Sequence, residues 1–402
     1  MLVVPKPGFT RKIAYFVTNY GSVHTSFTLD GQTYTTPAGV AHYLEHKMFD
    51  LPGRDVTAEF AALGAIPNAF TSYAHTAYYF SCTDNFTPAL RLLLEFVSTP
   101  YFTEESVEKE RGIIAQEILM YADSADSVVM EEMNAGLYHH HPIRVPIAGT
   151  VESIQEITAQ TLYDCHRAFY HPANMTLCVV GDVDADEVAA IAGEILPKEK
   201  SPVAVPDFGL PEPQTALTAV SRREMDVAMT TFQLAFKCPP PAKGKDHAHQ
   251  ELVAEIAAEM LFGQSSQLYQ WLYEDGLIDS SFGGGEEFTA GTAMLTCGGD
   301  SKDPEEVRSC ILNEAKFLAE NGLDQAAFDR IKRSFLGIRF KDLTSFDGTC
   351  FRLVAYSMED HDYFDFPTLF EEVTIEEVRQ FIADNVRPEK CALSIVDPRR
   401  KD

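Results

Sequence analysis

The sequence predicts an α+β protein with two tandem homologous domains, each a mostly antiparallel sheet packed by helices. Three observations lead to this prediction: a segment that occurs twice, a proline-rich stretch between the two copies, and strands that alternate irregularly with helices. Parallel βαβ folds show a steady strand–helix rhythm, whereas irregular alternation is typical of helices packed on antiparallel strands.

The repeated segment is the strongest sign of a duplication. Residues 157–180 (ITAQTLYDCHRAFYHPANMTLCVV) align without a gap with residues 373–396 (VTIEEVRQFIADNVRPEKCALSIV). Each copy reads as a threonine-capped amphipathic helix, a proline turn and an apolar strand. A weaker similarity links residues 102–119 with residues 322–340, where isoleucines replace the acidic residues of the first segment. We therefore predict a duplicated domain of roughly 190 residues.

The boundary between the copies is predicted from proline content. Residues 197–213 contain five prolines, which argues against regular structure in this stretch. We predict a first domain over residues 1–196, a linker over residues 197–213 and a second domain over residues 214–402.

Hydrophobic patterns predict the elements of the first domain in order. The candidate strands are residues 12–18, 22–28, 69–82 and 175–181. The candidate helices are residues 37–49, 55–64, 87–98, 103–123, 126–138, 158–169 and 184–195. In the second domain, the first long helix is predicted near residues 248–262.

Composition restricts the classes of function. The 60 acidic and 32 basic side chains give a net charge of −28, which argues against nucleic acid as a partner, since phosphate binding needs clustered Lys and Arg. No segment approaches the ~18 apolar residues of a membrane span, so we expect no membrane partner. The eight cysteines form no Cys-x-x-Cys pair and predict buried free thiols in a reducing, cytoplasmic compartment.

The residues that indicate chemistry are 42–46, which read His-Tyr-Leu-Glu-His. They follow Pro37, a favourable first residue of a helix. Because His42 and His46 are four residues apart, they project from one helix face with Cβ atoms about 5–6 Å apart. That spacing suits two imidazoles on one metal ion, with Glu45 beside it as a base for water. The alternative is two packed or surface histidines on a core helix.

An open tetrahedral zinc site needs a third protein ligand. Glu110 and Glu117 are seven residues apart on the predicted helix 103–123, and this spacing places them on one face. The spacing does not choose between them, and both could be ordinary exposed carboxylates.

The His-x-x-Glu-His motif at residues 42–46 is the inverse of the common His-Glu-x-x-His zinc motif. This motif and the segments around it resemble the pitrilysin/insulinase family of inverzincin zinc metallopeptidases, which includes the mitochondrial processing peptidases. The resemblance covers essentially the whole chain and is strongest over residues 36–182. The segments that carry it are GVAHYLEHKMF, PNAFTSYAHTAYYFSC, VEKERGIIAQEI, HPIRVPIAGTVESIQEIT and FYHPANMTLCVVGDVD.

The resemblance implies roles for individual residues. It makes Glu117 the third metal ligand beside His42 and His46 and Glu45 the catalytic base. It also groups Glu110 with the catalytic residues, as an acidic side chain one step further from the metal. It also implies one Zn²⁺ per chain. The residues that it implies for substrate binding, on a strand that pairs with the peptide backbone, are Asn68, Ala69, Phe70 and Thr71.

The resemblance also implies an assembly. A chain of this size corresponds to half of a four-domain clamshell that hydrolyses extended or unfolded peptides. Family enzymes add an Arg and a Tyr from their second half, but residues 288–307 contain neither. We therefore expect a heterodimer with a zinc-less paralogue that supplies this pair, or a homodimer. The alternative function is a non-catalytic zinc-containing scaffold or a peptide-binding subunit of a larger assembly.

The remaining histidines are given structural interpretations. His139, His140 and His141 precede a proline and are predicted to form an exposed turn. His75, His166 and His171 have no partner at ligand spacing and are predicted to be structural.

Overall fold

The computed structural model describes residues 1–198 and 201–399, which divide into two compact units. Unit 1 consists of Met1–Ile118, Pro146–Phe208 and Lys341–Met358, and unit 2 consists of Leu119–Val145, Gly209–Phe340 and the chain from Glu359 onwards. Each unit therefore contains one segment from the other half of the sequence. The division of the sequence at residues 197–213 remains a prediction about chain organisation.

The helices of the first half agree closely with the predicted ones, whereas the strands agree only in part. The strands are β1 (Leu2–Pro5), β2 (Lys12–Thr18), β3 (Ser26–Leu29), β4 (Gln32–Thr35), β5 (Asp50–Leu51), β6 (Arg54–Asp55), β7 (Ile66–Thr71), β8 (Thr76–Cys82), β9 (Met175–Gly181) and β10 (Val205–Pro206). The helices are α1 (Val40–Met48), α2 (Val56–Ala62), α3 (Phe86–Ser98), α4 (Glu104–Ala122), α5 (Ala125–Leu137), α6 (Ala159–Phe169) and α7 (Ala185–Ile195).

The second half continues with five strands and seven helices among its described residues. The strands are β11 (Val220–Met225), β12 (Thr231–Lys237), β13 (Gly283–Thr289), β14 (Thr292–Asp300) and β15 (Cys391–Pro398). The helices are α8 (Lys245–Phe262), α9 (Gln267–Glu274), α10 (Pro304–Asn321), α11 (Gln325–Asp342), α12 (Phe346–Met358), α13 (Phe366–Glu372) and α14 (Ile375–Asn385). Short 3-10 turns lie at Pro142–Arg144, Ser153–Glu156, Pro172–Asn174, Tyr363–Asp365 and Pro388–Lys390.

The two large sheets have the same topology. Unit 1 has the strand order β1-β9-β2-β8-β7, and unit 2 has the order β11-β15-β12-β14-β13. In each sheet the first pair is parallel and the other three are antiparallel. The prediction of two homologous, mostly antiparallel domains is therefore confirmed.

The repeated sequence segment occupies the same place in each sheet. Thr158 and Thr374 cap α6 and α14, each with reciprocal hydrogen bonds to the third helical residue. A 3-10 turn at the proline then leads into β9 or β15, the second strand of its sheet.

Helices cover both faces of the unit 1 sheet. Ala14 and Phe16 of β2 face a core that α1, α3 and α6 share. On the opposite face, α12 packs against β9 and β2. Unit 2 has an equivalent arrangement, because α5 packs against β15 and β12. The helix on this face of each sheet thus comes from the other half of the sequence.

Two predicted strands differ from the structure. The strand predicted at residues 22–28 begins only at Ser26, after a turn closed by a hydrogen bond from the His24 N–H group to the Gly21 carbonyl. Residues 69–82 form a hairpin of β7 and β8 instead of one strand. The Ser72 N–H group donates to the His75 carbonyl at 2.8 Å and closes the turn. This turn contains Ser72 but no Gly, Pro, Asn or Asp, so its sequence signal is weak.

The histidine run is not the fully exposed turn that the sequence predicts. His141 is buried and His140 is exposed. The backbone N–H groups of all three histidines donate to the carboxylate of Glu212 at 2.7–3.0 Å. Lys237, which is 1% exposed, donates to the same carboxylate at 2.8 Å. The run therefore serves as a backbone anchor for the end of the proline-rich segment.

Other predictions about buried groups hold. His166 is buried and its Nε2 atom lies 3.1 Å from the Val97 carbonyl oxygen, as expected of a structural histidine. All eight cysteines are unpaired, and seven of them are buried, with Cys310 partly exposed. Within the described residues, no helix combines the length and apolarity needed to cross a bilayer.

Candidate metal centre

The His-Tyr-Leu-Glu-His motif lies on α1, and contacts of Gly39 and Tyr43 fix the position of this helix. Gly39 precedes the helix with φ of 92°, and a Cβ atom there would lie 2.4 Å from the carbonyl oxygen of Ala148. Only glycine adopts this conformation at such close approach without strain. The Tyr43 hydroxyl, fully buried, donates to the carbonyl of Val107 on α4. The Tyr43 hydrogen bond holds α1 against α4, the helix that carries both candidate acidic ligands.

Three side chains converge between the two helices. The Nε2 atom of His42 lies 3.6 Å from Glu117 Oε1, and the Nε2 atom of His46 lies 3.5 Å from Glu117 Oε2. One ligand atom from each residue lies within 4.8 Å of the other two. Two ligands at 2.0–2.1 Å from a tetrahedral ion lie about 3.4 Å apart. The separations therefore fit a shared metal ion and are too long for good hydrogen bonds.

The surroundings of the two imidazoles also fit a metal site. His46 Nδ1 lies 3.0 Å from Glu110 Oε1, which favours the tautomer whose Nδ1–H group donates to that carboxylate and leaves a lone pair on Nε2. Burial alone would lower the pKa of His46, but the Glu110 hydrogen bond and the carboxylates of Glu45 and Glu117 raise it overall. His42 Nδ1 is buried and has no hydrogen-bond partner among the described residues.

Glu45 lies on the same helix face as the histidines and is held from the neighbouring sheet. The hydroxyl of Thr71, on β7, donates to Glu45 Oε2 at 2.7 Å. Burial raises the pKa of Glu45 above its ordinary value, although the Thr71 hydrogen bond and the nearby imidazoles oppose this effect. A partly buried carboxylate with a raised pKa is suited to accept and return a proton.

The strand that holds Glu45 is the edge of its sheet. Within residues 1–198 and 201–399, β7 forms a ladder only with β8. The Ser72 N–H group donates to the His75 carbonyl, so Ser72 directs its backbone groups towards β8. Because this direction alternates from residue to residue along the strand, the backbone groups of Ala69 and Thr71 point away from β8. Consistent with this, the Ala69 N–H group bonds to its neighbour's side chain, Asn68 Oδ1, at 2.8 Å.

The structure thus brings six of the predicted site residues together and places Phe70 away from them. The six are His42, Glu45, His46, Thr71, Glu110 and Glu117. Asn68 and Ala69 lie further along the same edge strand. Phe70 points to the opposite face of the sheet, where its ring contacts Tyr79 and Phe351. The sequence does not predict the place of Phe351, since nothing in it shows that α12 packs on the first sheet.

Comparisons with known proteins identify the family of this chain. Residues 31–151 match the family model described as insulinase (peptidase family M16), and residues 156–335 match the model described as the peptidase M16 inactive domain. A Bacillus subtilis protein named "uncharacterized zinc protease YmfH" is 36% identical over 410 aligned positions, which cover 99% of this chain and 94% of that protein.

Solved structures give the same result. The crystal structure of an M16-like peptidase from Alicyclobacillus acidocaldarius superposes with a TM-score of 0.95 at 33% identity and covers 99% of this chain and 95% of that one. The crystal structure of pitrilysin shares the fold with a TM-score of 0.76 at 18% identity, and the match covers 99% of this chain but 44% of pitrilysin.

Proposed function

Because this chain belongs to the insulinase family (peptidase family M16), we propose that it is a zinc-dependent endopeptidase that hydrolyses extended or unfolded peptides. One observation supports this proposal above the others. The Thr71 hydroxyl, on the edge strand, holds the Glu45 carboxylate beside the convergent His42, His46 and Glu117. A metal site, a base and a surface for backbone pairing are therefore parts of one arrangement.

The proposed zinc ligands are His42, His46 and Glu117, with one ion per chain. Two imidazoles and one carboxylate leave a fourth position open, which is typical of catalytic sites and not of structural zinc sites. The Bacillus subtilis relative is also named as a zinc protease. When bound, zinc supplies Lewis acidity that makes water more acidic and a substrate carbonyl more electrophilic.

Glu45 is the proposed general base and acid. It takes a proton from the attacking water and later gives a proton to the leaving amine nitrogen. Its raised pKa suits the second step, because a carboxylate with a higher pKa holds a proton more readily near neutral pH. The Thr71 hydroxyl fixes the orientation of one carboxylate oxygen, and Glu110 positions His46.

The edge strand β7 is the proposed binding surface for the peptide backbone. An extended peptide that adds to this edge would bond to the outward backbone groups of Ala69 and Thr71. On binding, the Ala69 N–H group would exchange its hydrogen bond to Asn68 Oδ1 for one to the peptide. Because main-chain groups carry this recognition, we expect length and unfoldedness of the substrate to matter more than a single side chain.

A second chain is part of the proposal. The model that matches residues 156–335 describes an inactive domain, and this chain covers less than half of pitrilysin. Together with the missing Arg and Tyr in residues 288–307, this supports a partner of similar fold: a zinc-less paralogue or a second copy. The eight unpaired cysteines support a reducing location such as the cytoplasm.

The test is peptide cleavage by the zinc-loaded chain, alone and with a candidate partner, with a quenched fluorescent library of unfolded peptides. We expect Glu45→Gln to retain zinc and to lower turnover about 10²–10⁴-fold. Glu105→Gln, an exposed carboxylate on α4, is the matched control and should behave as the wild type. Cleavage that survives in Glu45→Gln would refute the assignment of the base. Stoichiometric zinc without any cleavage would favour the non-catalytic scaffold or peptide-binding subunit.

A further inference from the structure

The face of the first sheet opposite the metal centre carries aromatic side chains beside the edge strand. Tyr15 and Tyr79 stack at a centroid distance of 4.3 Å, and the ring of Phe70 lies 6.3 Å from that of Tyr79. Helix α12 crosses this face, and its Phe351 ring lies 6.0 Å from the ring of Phe70. Together these four rings form a continuous aromatic surface within unit 1.

Phe351 is the exposed member of this surface. It is 50% exposed, although it lies on a helix whose neighbouring Cys350, Leu353 and Val354 are buried. A half-exposed phenylalanine in contact with a strand edge leaves apolar area that an added side chain could cover. Phe70 itself is only partly exposed, so most of the accessible area at this place belongs to Phe351.

The alternation of β-strands determines which substrate side chains could reach this surface. In β7, Ala69 and Thr71 point towards α1, whereas Asn68 and Phe70 point towards α12. A peptide added along β7 would alternate in the same way, because residues opposite each other on paired strands share a face. Every second substrate side chain would therefore face the metal centre, and the intervening ones would face α12.

From this geometry we infer that Phe351, with Phe70, is a specificity-determining pair that selects large apolar or aromatic substrate side chains at alternate positions. The inference rests on the proposed peptidase function and adds a preference to its backbone recognition. The substrate side chain opposite Phe70 would lie about 4.5–5.5 Å away between Cβ atoms, within reach of both rings. The preference should therefore be strongest at one position and weaker two residues to either side.

A charge introduced at position 351 provides a test of this selection. An acidic residue at position 351 would replace the apolar contact with an ionic one, so the selected substrate side chain should change from aromatic to Lys or Arg. Phe351 lies within unit 1 on a partly exposed surface, and its ring has no partner to lose other than Phe70 among the aromatic contacts of the described residues. Substitution there should leave the zinc ligands in place.

The experiment maps cleavage sites in a randomised peptide library by mass spectrometry, with the wild type, Phe351→Ala, Phe351→Glu and Glu45→Gln. We expect wild-type products to be enriched about two- to ten-fold in aromatic residues at one position relative to the cleaved bond. Phe351→Ala should remove this enrichment while peptides with small residues there are cut as before. Phe351→Glu should enrich Lys and Arg at the same position. Phe364→Ala, also 50% exposed but in unit 2, is the matched control.

The outcomes separate this inference from the proposed function. If no variant, including the wild type, shows cleavage that depends on Glu45, the peptidase proposal fails. If cleavage depends on Glu45 but the positional profile is the same in Phe351→Ala and Phe351→Glu as in the wild type, the peptidase proposal stands and the role of Phe351 is refuted. Zinc content of each purified variant shows whether a change in profile has come from a damaged metal site.

Discussion

The Nδ1 atom of His46 and the Oε1 atom of Glu110 lie 3.0 Å apart, so one imidazole is held between two helices. Its other nitrogen faces Glu117, on the same helix as Glu110 but two turns later. We therefore propose that Glu110 acts as a positioning residue, since it touches the candidate ligand His46 and would orient its ring. The sequence alone does not distinguish the two acids, whereas their different contacts with His46 do.

Replacement of Glu110 should weaken metal binding without abolishing it. In Glu110→Gln the amide oxygen can still accept from His46 Nδ1, but the negative charge that makes the imidazole more basic is lost. We expect zinc affinity to fall about ten-fold, measured by competition with a chromogenic chelator. Glu105→Gln should show the wild-type affinity. Equal zinc affinity in Glu110→Gln and the wild type would argue against the positioning role.

Removal of the Thr71 hydroxyl should affect turnover more than metal content. Thr71→Val keeps the shape and strand preference of the side chain but leaves one oxygen of Glu45 without its donor. A hydrogen bond to a charged group contributes about 1.5–3 kcal/mol, so we expect kcat/KM to fall at least about ten-fold with zinc retained. Thr71→Ser should recover most of the activity. Thr33→Val, on the exposed strand β4, provides the comparison for a harmless change.

The approach of Gly39 to Ala148 predicts a sensitive position at the start of α1. Gly39→Ala adds a Cβ atom 2.4 Å from a carbonyl oxygen at a φ of 92°, so both the backbone and the contact are strained. We expect a loss of about 2–3 kcal/mol in the free energy of unfolding, measured with urea.

A second glycine supplies the control for that experiment. Gly193 lies within α7, and nothing would lie within 4 Å of an added Cβ atom. Gly193→Ala should leave stability unchanged or raise it by up to about 1 kcal/mol, since alanine favours helix. If the two variants are equally stable, the close approach at Gly39 does not constrain α1.

The carboxylate of Glu212 should make stability depend on pH in the acid range. Lys237 and three backbone N–H groups overcome the effect of burial and lower the pKa of Glu212 from 4.5 to about 2. Because the pKa is lower in the folded state, the stabilisation is complete above about pH 4.5 and is lost as the pH falls towards 2. The full shift corresponds to about 3 kcal/mol, and partial hydration of the carboxylate reduces our expectation to about 2 kcal/mol.

Urea unfolding of Glu212→Gln and the wild type at several pH values measures this effect. The difference in the free energy of unfolding should be about 2 kcal/mol at pH 7 and should narrow between about pH 4.5 and 3. Glu224→Gln, an exposed carboxylate on β11, should show no such difference. A gap that stays constant from pH 7 to 3 would show that the charge of Glu212 does not stabilise the anchor.

Local sequence patterns predicted most elements of the first half because each signal is short-range. The threonine cap and helical periodicity place α6 within one residue, and the apolar run places β9 without error. The hairpin of β7 and β8 was missed because Ser72 is the only common turn residue between Ser72 and His75, and a single serine is a weak signal. The spacing of His42 and His46 was likewise a local signal, since four residues on a helix fix a common face.

The sequence could not predict contacts that depend on long-range packing. An amphipathic helix shows that one face is buried but not against which sheet, so nothing placed α12 beside β9 or Phe351 beside Phe70. The role of the histidine run was missed for a related reason. Its binding groups are backbone N–H groups, which every residue has, and their acceptor, Glu212, lies more than 70 residues later.

The position of α12 has a consequence for synthesis on the ribosome. The sheet next to the metal centre has all its strands by Gly181, but the helix that covers its second face ends at Met358. At about 5–20 residues per second, roughly 10–35 s separate the two events. During that interval the nascent chain exposes an apolar sheet face that includes Tyr15 and Val17. We expect this intermediate to be a client of ribosome-associated chaperones, and a chain truncated before residue 346 to be insoluble.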